Sequence, residues 1–268
     1  MSDVKGGRRL RILIPVTGAF FGRLRVRRST GTLDTEGLDR VLSEPSVRAI
    51  ALAKRLQADG TELVAVHVDK GLGEQVLREA LAHGLDQGIL IEGADAVDTD
   101  AGSRAATIAD VYAQHGPFDA VIGPAQSSFT GFSGALAAVA GALSMPCVVG
   151  VKDVRVSGKE NDGFAVQYES IFGDYDLTVP RPCVMLVGNV PPSYPSAWGI
   201  RNAYHKQGLL RVQADQYTTG HVATKRRRIE VVRPEAQALE DVDGATLVRR
   251  LRSRSLIPEA EKTAEAEQ

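Results

Sequence analysis

Residues 120–149 confine the chain to a small set of folds. A short apolar run, Ala120-Val121-Ile122, stops at Gly123 and gives way to a loop of small and hydroxylated residues. Sequence rich in Ala, Leu and Val follows, then Met145-Pro146 and a second apolar run, Cys147-Val148-Val149. Strand, polar loop, helix, strand is a βαβ unit, and its loop faces the N-terminus of the helix. The unpaired N–H groups and positive dipole end found there favour a phosphate. Gln126, Ser127, Ser128, Thr130 and Ser133 supply donors, while Gly131 and Gly134 let backbone come close. A well-capped surface turn needs the same composition, and neither a Walker-type nor a GxGxxG glycine pattern is present. The loop alone leaves both readings open.

The remaining N-terminal sequence repeats the alternation. Leu10 to Val16 reads as a buried first strand, Glu44 to Ala58 as an amphipathic helix, and Leu63 to Val68 as a second strand. A helix over 73–83 capped by Gly84, a strand over 88–91, and a helix from an Asp100 N-cap to Gln114 lead into the βαβ unit. Such alternation predicts an α/β fold with a doubly wound, mostly parallel, Rossmann-like sheet. Ligands of these sheets lie beyond the C-terminal strand ends, near the switch in strand order. Val16-Thr17, His67-Val68-Asp69 and the Gly123–Ser133 loop can converge there, which strengthens the ligand reading of the loop. His67, where a strand meets this crevice, reads first as a cap on its strand and second as a ligand contact.

From Val151 the pattern becomes antiparallel: 154–156, 164–168 and 175–179 alternate, with Gly, Asn and Asp at the turns. A last buried strand, Cys183 to Val187, precedes a proline-rich loop over 188–199 that carries Trp198. An aromatic on such a loop can fold back on the sheet or mark a partner surface. Thr17 to Gly37 reads as an exposed hairpin. Its arginines 23, 25, 27 and 28, with Arg40, read as a solvated or subunit-facing edge, and anion binding is the lesser reading. Lys225 to Arg228 reads as a solvated basic run. Residues 1–208 are therefore expected to form the α/β domain, with an antiparallel extension over 151–180. Residues 209–268 are expected to form a C-terminal arm with a frayed end.

Composition removes several function classes. Across 268 residues the net charge is -1 and aromatics are 5%, which argues against a nucleic-acid surface. No apolar stretch reaches membrane-spanning length and the N-terminus lacks a signal-peptide core, so a cytoplasmic protein without membrane insertion is expected. Cys147 and Cys183 lie in apolar runs and read as buried thiols. The five histidines are dispersed without metal-ligand spacing, no G-x-S-x-G elbow occurs, and neither cysteine has an evident histidine partner. No catalytic or metal residues are expected.

In order along the chain, RILIPVTGAF, LSEPSVRAIALAKRL, ELVAVHVDKGLGEQVLREALAHGLDQGILIE, the 117–151 segment and RPCVMLVGNVPPSYPSAWGIRNAYHK resemble the β subunit of electron transfer flavoproteins (ETF), over roughly Leu10 to Leu210. This resemblance implies a non-catalytic electron carrier. It implies a heterodimer with an ETF α subunit that holds the redox FAD, while the β subunit binds AMP or a second FAD. The nucleotide positions implied are Val16, Thr17, His67, Val68, Asp69, Gln126, Ser127, Ser128, Thr130, Gly131, Phe132 and Ser133. The loop over 188–200 corresponds to the family's recognition loop for partner dehydrogenases, with Tyr194, Ala197, Trp198 and Ile200 at the contact. A flavin-dependent dehydrogenase would deliver electrons, and ETF-quinone oxidoreductase or a similar acceptor would receive them.

The sequence departs from the family in three places. The usual acidic residues of the nucleotide loop are absent from 127–133, Thr17-Gly18 replaces a basic pair, and Ala197 stands where the family places an anchoring leucine. These departures suggest service to one dedicated dehydrogenase, with Trp198 as the new anchor. They also leave AMP against FAD open. The resemblance would place the 209–268 arm on the partner subunit. The rival reading is a stand-alone nucleotide sensor of the universal-stress-protein type, a class that is shorter and lacks both the antiparallel insert and the proline-rich loop. An adenylating ligase on the same sheet would want an S-G-G-x-D loop, which is missing.

Overall fold

A computed structural model describes residues 9–27, 29–69, 73–93, 101–127, 131–132, 134–157, 163–205, 208–217 and 243–254. The chain divides into two units between Ile229 and Glu230. In the first unit, β1 (Arg11–Pro15) leads through β2 (Gly18–Phe21), β3 (Arg25–Arg27), β4 (Thr32–Asp34) and β5 (Asp39–Leu42) to α1 (Glu44–Ala53). Next come β6 (Glu62–Asp69), α2 (Gly73–Ala82), β7 (Gln87–Glu92), α3 (Ala101–His115) and β8 (Ala120–Pro124). A two-strand hairpin, β9 (Gln126–Ser127) and β10 (Gly131–Phe132), precedes α4 (Ala135–Ala142). Then follow β11 (Cys147–Ser157), β12 (Gly163–Ser170), β13 (Gly173–Pro180), β14 (Cys183–Val187), α5 (Ala197–His205) and β15 (Leu209–Gln213). Within the second unit, α6 (Gly244–Ser253) is capped by Asp243, whose carboxylate accepts from the Thr246 N–H.

The main sheet has nine strands in the order β13-β12-β11-β14-β8-β1-β6-β7-β15. Pairing is parallel from β11 across to β15, and β12 and β13 add an antiparallel edge. The doubly wound α/β expectation therefore holds. Strand β1 sits between β6 and β8, so the sequence order reverses about it and leaves a crevice at its C-terminal end. Alternation in β1 divides the core into two layers. Ile12 and Ile14 join the α1–α2 side, and Leu13 joins the α3–α4 side, all fully buried. Each such aliphatic side chain contributes about 1.5–3 kcal/mol on burial.

Local signals explain the element ends. Ser43 caps α1, accepting from the Ser46 N–H, with Glu44 and Pro45 in the first turn. The helix expected through Ala58 tightens after Ala53 into a 3-10 turn over Lys54–Asp59, closed by left-handed Gly60. The antiparallel extension grows out of β11, which runs parallel to β14 at its start and antiparallel to β12 at its end. Gly150 makes that bend: its φ is 81°, and a Cβ there would lie 2.6 Å from the Glu169 carbonyl oxygen.

Four expectations change. Cys147, read as a buried thiol, is exposed, while Cys183 is buried as expected. The loop expected over 188–199 ends at Ala197, where α5 begins with the Ser196 hydroxyl accepting from the Gly199 N–H, so Trp198 is a helical residue. Beyond Gly208 the sheet continues, because β15 pairs parallel with β7 and is tied to it by Arg211 against Glu92 at 2.7 Å. The segment after Thr17 holds the β3–β4 hairpin and also β2, which pairs with β5. Asp100, Arg28, Lys225 to Arg228 and the final residues lie outside the described set.

Candidate functional site

Strand ends β1, β6 and β8 and the first turn of α4 enclose a crevice of about 700 Å³, including the solvent at its mouth. Its wall includes Val16, Thr17, His67, Val68 and Asp69 from the expected set, joined by Arg40, Arg104, Ile108, Ala135 and Leu136. Gln126 is exposed on β9 and does not line it. Ser127, Gly131 and Phe132 are described by backbone, as the paired ends of the β9–β10 hairpin. Ser128, Thr130 and Ser133 lie outside the described residues.

A hydroxyl cluster fixes the β1 end of the crevice. The Thr17 N–H donates to Ser46 Oγ at 2.9 Å, and its hydroxyl lies 2.8 Å from Ser43 Oγ. The Ser43 N–H returns a bond to the Thr17 carbonyl at 2.9 Å. Two buried serines thus bind the strand end to the start of α1, which leaves little freedom in the crevice wall.

Across from them, His67 and Asp69 are buried. The Val16 carbonyl can only accept, so His67 Nδ1 carries the proton on that side, at 2.8 Å. Its Nε2 faces Asp69 Oδ2 at 3.3 Å, and the same oxygen takes a hydrogen bond and ion pair from Arg40 Nη1. Arg40 also lies over the Phe20 ring, 4.8 Å from its centroid. Gly73 lets the first turn of α2 close against this group, since a Cβ there would lie 2.8 Å from Asp69 Cβ and 3.2 Å from His67 Cδ2. His67 is therefore both a brace on its strand and part of the crevice wall.

Positive charge is left over. Arg40 Nε is buried without a hydrogen-bond partner among the described residues. Arg104, one turn before Ile108 on α3, makes no hydrogen bond or ion pair within that set. Burial first, and the charge of Arg40 second, hold Arg104 below the usual guanidinium range, with Asp69 opposing. Helix α4 has Gly134 at its N-cap and so no side-chain cap, and its first residues line the crevice. Surplus cations, an unused donor and an uncapped helix start suit an anionic ligand, so the residues present fit a phosphate-bearing nucleotide.

Sequence reading placed Arg40 among the exposed arginines; its side chain is 18% exposed and turned into the crevice. The signal was its place just before Val41-Leu42-Ser43, which returns the chain to the end of β1. Arg104 was missed altogether. Its signal was an arginine in line with Ile108 and Val111 on the buried face of α3. The expected recognition residues are exposed: Tyr194 at 87%, Trp198 at 70% and Ile200 at 45%, with Ala197 beside them. Tyr204, one turn beyond Ile200, extends the apolar face. Among the described residues, no cluster of His, Cys, Asp and Glu could hold a metal, and no helix is long and apolar enough to cross a membrane.

The fold and crevice define a doubly wound α/β protein with an open crevice at its topological switch point. The family model for the electron transfer flavoprotein domain matches residues 30–193, the greater part of the chain. The caffeyl-CoA reductase-Etf complex subunit CarD of Acetobacterium woodii is 25% identical over 188 residues, 68% of this chain and 70% of that protein. The electron transfer flavoprotein subunit beta of Bacillus subtilis is 28% identical over 182 residues, 66% of this chain and 69% of that protein. The chain belongs to the electron transfer flavoprotein family, as a divergent member.

Proposed function

We propose that this chain is the β subunit of a heterodimeric ETF, binds an adenine nucleotide, and helps carry electrons from a dedicated flavin dehydrogenase to a respiratory acceptor. The observation that carries the nucleotide half is the crevice at the switch point, where Arg40 Nε and Arg104 have no hydrogen-bond partner among the described residues. The larger subunit would hold the redox FAD, which supplies the one- and two-electron chemistry when bound. This chain's own work is to bind and to dock. Thr17, braced by Ser43 and Ser46, shapes the crevice wall, and Ile108 and Leu136 exclude water from it. No residue here makes or breaks a covalent bond; the subunit is a carrier component.

The docking half is supported by the exposed face of Tyr194, Trp198 and Ile200, an aromatic and aliphatic surface of the kind that anchors partners. The test is to co-express the chain with the product of the neighbouring gene and purify through a tag on this chain alone. Denaturation then releases the nucleotides for identification. A larger flavin-bearing partner with about one FAD and one AMP per complex is expected. Two FAD would assign the crevice to a second flavin. Absence of both partner and flavin would reject the carrier reading in favour of a stand-alone nucleotide sensor. A pull-down of the dehydrogenase should weaken with Trp198→Ala, and unchanged capture would remove Trp198 as the anchor.

A further inference from the structure

We infer that Arg104, together with Nε of Arg40, holds the anionic group of the ligand in the crevice, and that Arg104 makes the site prefer a phosphorylated ligand to its neutral counterpart. The inference rests on the nucleotide reading above and adds the residues that would meet the phosphate. Charge bookkeeping leads to it. Asp69 is the buried carboxylate of the crevice wall, and its Oδ2 is engaged by Arg40 Nη1 and faced by His67 Nε2. A second guanidinium, Arg104, lines the same crevice without a hydrogen bond or ion pair among the described residues and close enough to Arg40 to feel its charge. Unmatched like charges kept out of water are unfavourable unless a counter-anion joins them.

Geometry narrows the class of anion. Arg40 spends Nη1 on Asp69 and lies over the Phe20 ring, and its buried Nε is left without a hydrogen-bond partner among the described residues. Arg104 brings an uncommitted fork, and the α4 start brings backbone N–H groups without a capping side chain. A phosphate, with three terminal oxygens and up to two negative charges, can meet donors arriving from three directions and answers both guanidinium groups better than a singly charged, planar carboxylate does. The apolar floor of Ile108, Leu136 and Val16 can seat the uncharged remainder of the ligand.

Titration calorimetry on the full chain tests this, with AMP, adenosine and inorganic phosphate as separate probes against wild type, R104Q and R104K. R104Q should weaken AMP by about 10- to 100-fold, as expected for loss of a charge-assisted contact, with adenosine changed by less than about twofold. R104K, which keeps the charge and loses the fork, should fall between. A second measurement needs no variant. Phenylglyoxal modification of wild type, read by peptide mass spectrometry, should be slowed at Arg104 by AMP and by phosphate and not by adenosine. Equal AMP affinity in R104Q and wild type, or unprotected Arg104, would overturn the inference. Arg104-dependent phosphate binding without adenosine or AMP binding would keep the anion site and reject the nucleotide reading. A wild type that binds no probe would reject both.

Discussion

Asp69 and Arg104 line the same crevice, and substitutions at the two should move stability in opposite directions. The Asp69 carboxylate is 1% exposed and pairs with Arg40. Asp69→Asn keeps the shape and removes the charge, leaving Arg40 and Arg104 facing each other without a counter-ion. Loss of one partner from a buried pair costs about 3–5 kcal/mol, and the partial exposure of Arg40 places the expected loss near the lower figure. Arg104→Met removes a buried cation that makes no hydrogen bond or ion pair among the described residues and that Arg40 repels more than Asp69 attracts, and it keeps most of the aliphatic volume. The ligand-free chain should then gain about 1 kcal/mol. Chemical denaturation of the two variants checks both signs, and a destabilised Arg104→Met would show that the arginine is held by something other than a ligand. Such a residue, which weakens the empty protein, is common where function sets the choice.

At the scale of elements, α5 depends on one atom that is missing. A Cβ on Gly199 would lie 2.3 Å from the Ala82 carbonyl oxygen at the end of α2. Backbone cannot move aside as a side chain can, so Gly199→Ala should lift α5 and cost about 1–3 kcal/mol. Because Trp198 and Ile200 flank it, dehydrogenase capture should weaken too, while AMP affinity, set at the strand ends, stays. A melt and a pull-down on the same preparation read both. The turn after α2 carries a pH dependence. Burial first, and Lys54 second, hold the His83 imidazole below its ordinary 6.5, and burial with Arg11 does the same at His115. The folded state therefore binds fewer protons than the unfolded chain as pH falls through about 6.5, and stability falls with it. His83→Gln should flatten that slope in part, leaving the share of His115; an unchanged slope would show that His83 accepts its proton in place. These elements differ in how well sequence announced them. β1, β6 and β8 are apolar runs that a buried parallel strand requires, and all were legible. By contrast, β15 reads LLRVQ, a polar-interrupted edge strand that only its pairing with β7 defines. The start of α5 was hidden by Pro195 before it and Gly199 within it, two residues that ordinarily mark a loop.

For the whole molecule, the division after Ile229 sets a testable separation of duties. Strand ends and crevice belong to the first unit, and α6 to the second. The parallel sheet and its switch point could be read from alternation alone, because burial on both faces forces continuous apolar strands. Arg40 and Arg104 were harder to read, because their local signals place each beside a buried segment and only the closing of β5 and α3 on one crevice brings the two together. Helix α6 is basic in its last turn and has no buried residue, so nothing among the described residues gives it a core to stand on. A helix of that kind gains stability from a surface outside itself, and the larger ETF subunit is the partner that the proposed function supplies. A chain ending at Ile229 should therefore bind AMP within about twofold of the full chain, since no crevice residue is lost. Its complex with the larger subunit should dissociate faster, because area removed from an interface is felt mainly in the off-rate. Surface plasmon resonance on the two lengths decides the point: equal dissociation rates would place the C-terminal unit outside the heterodimer, and a loss of AMP binding would show that it contributes to the crevice.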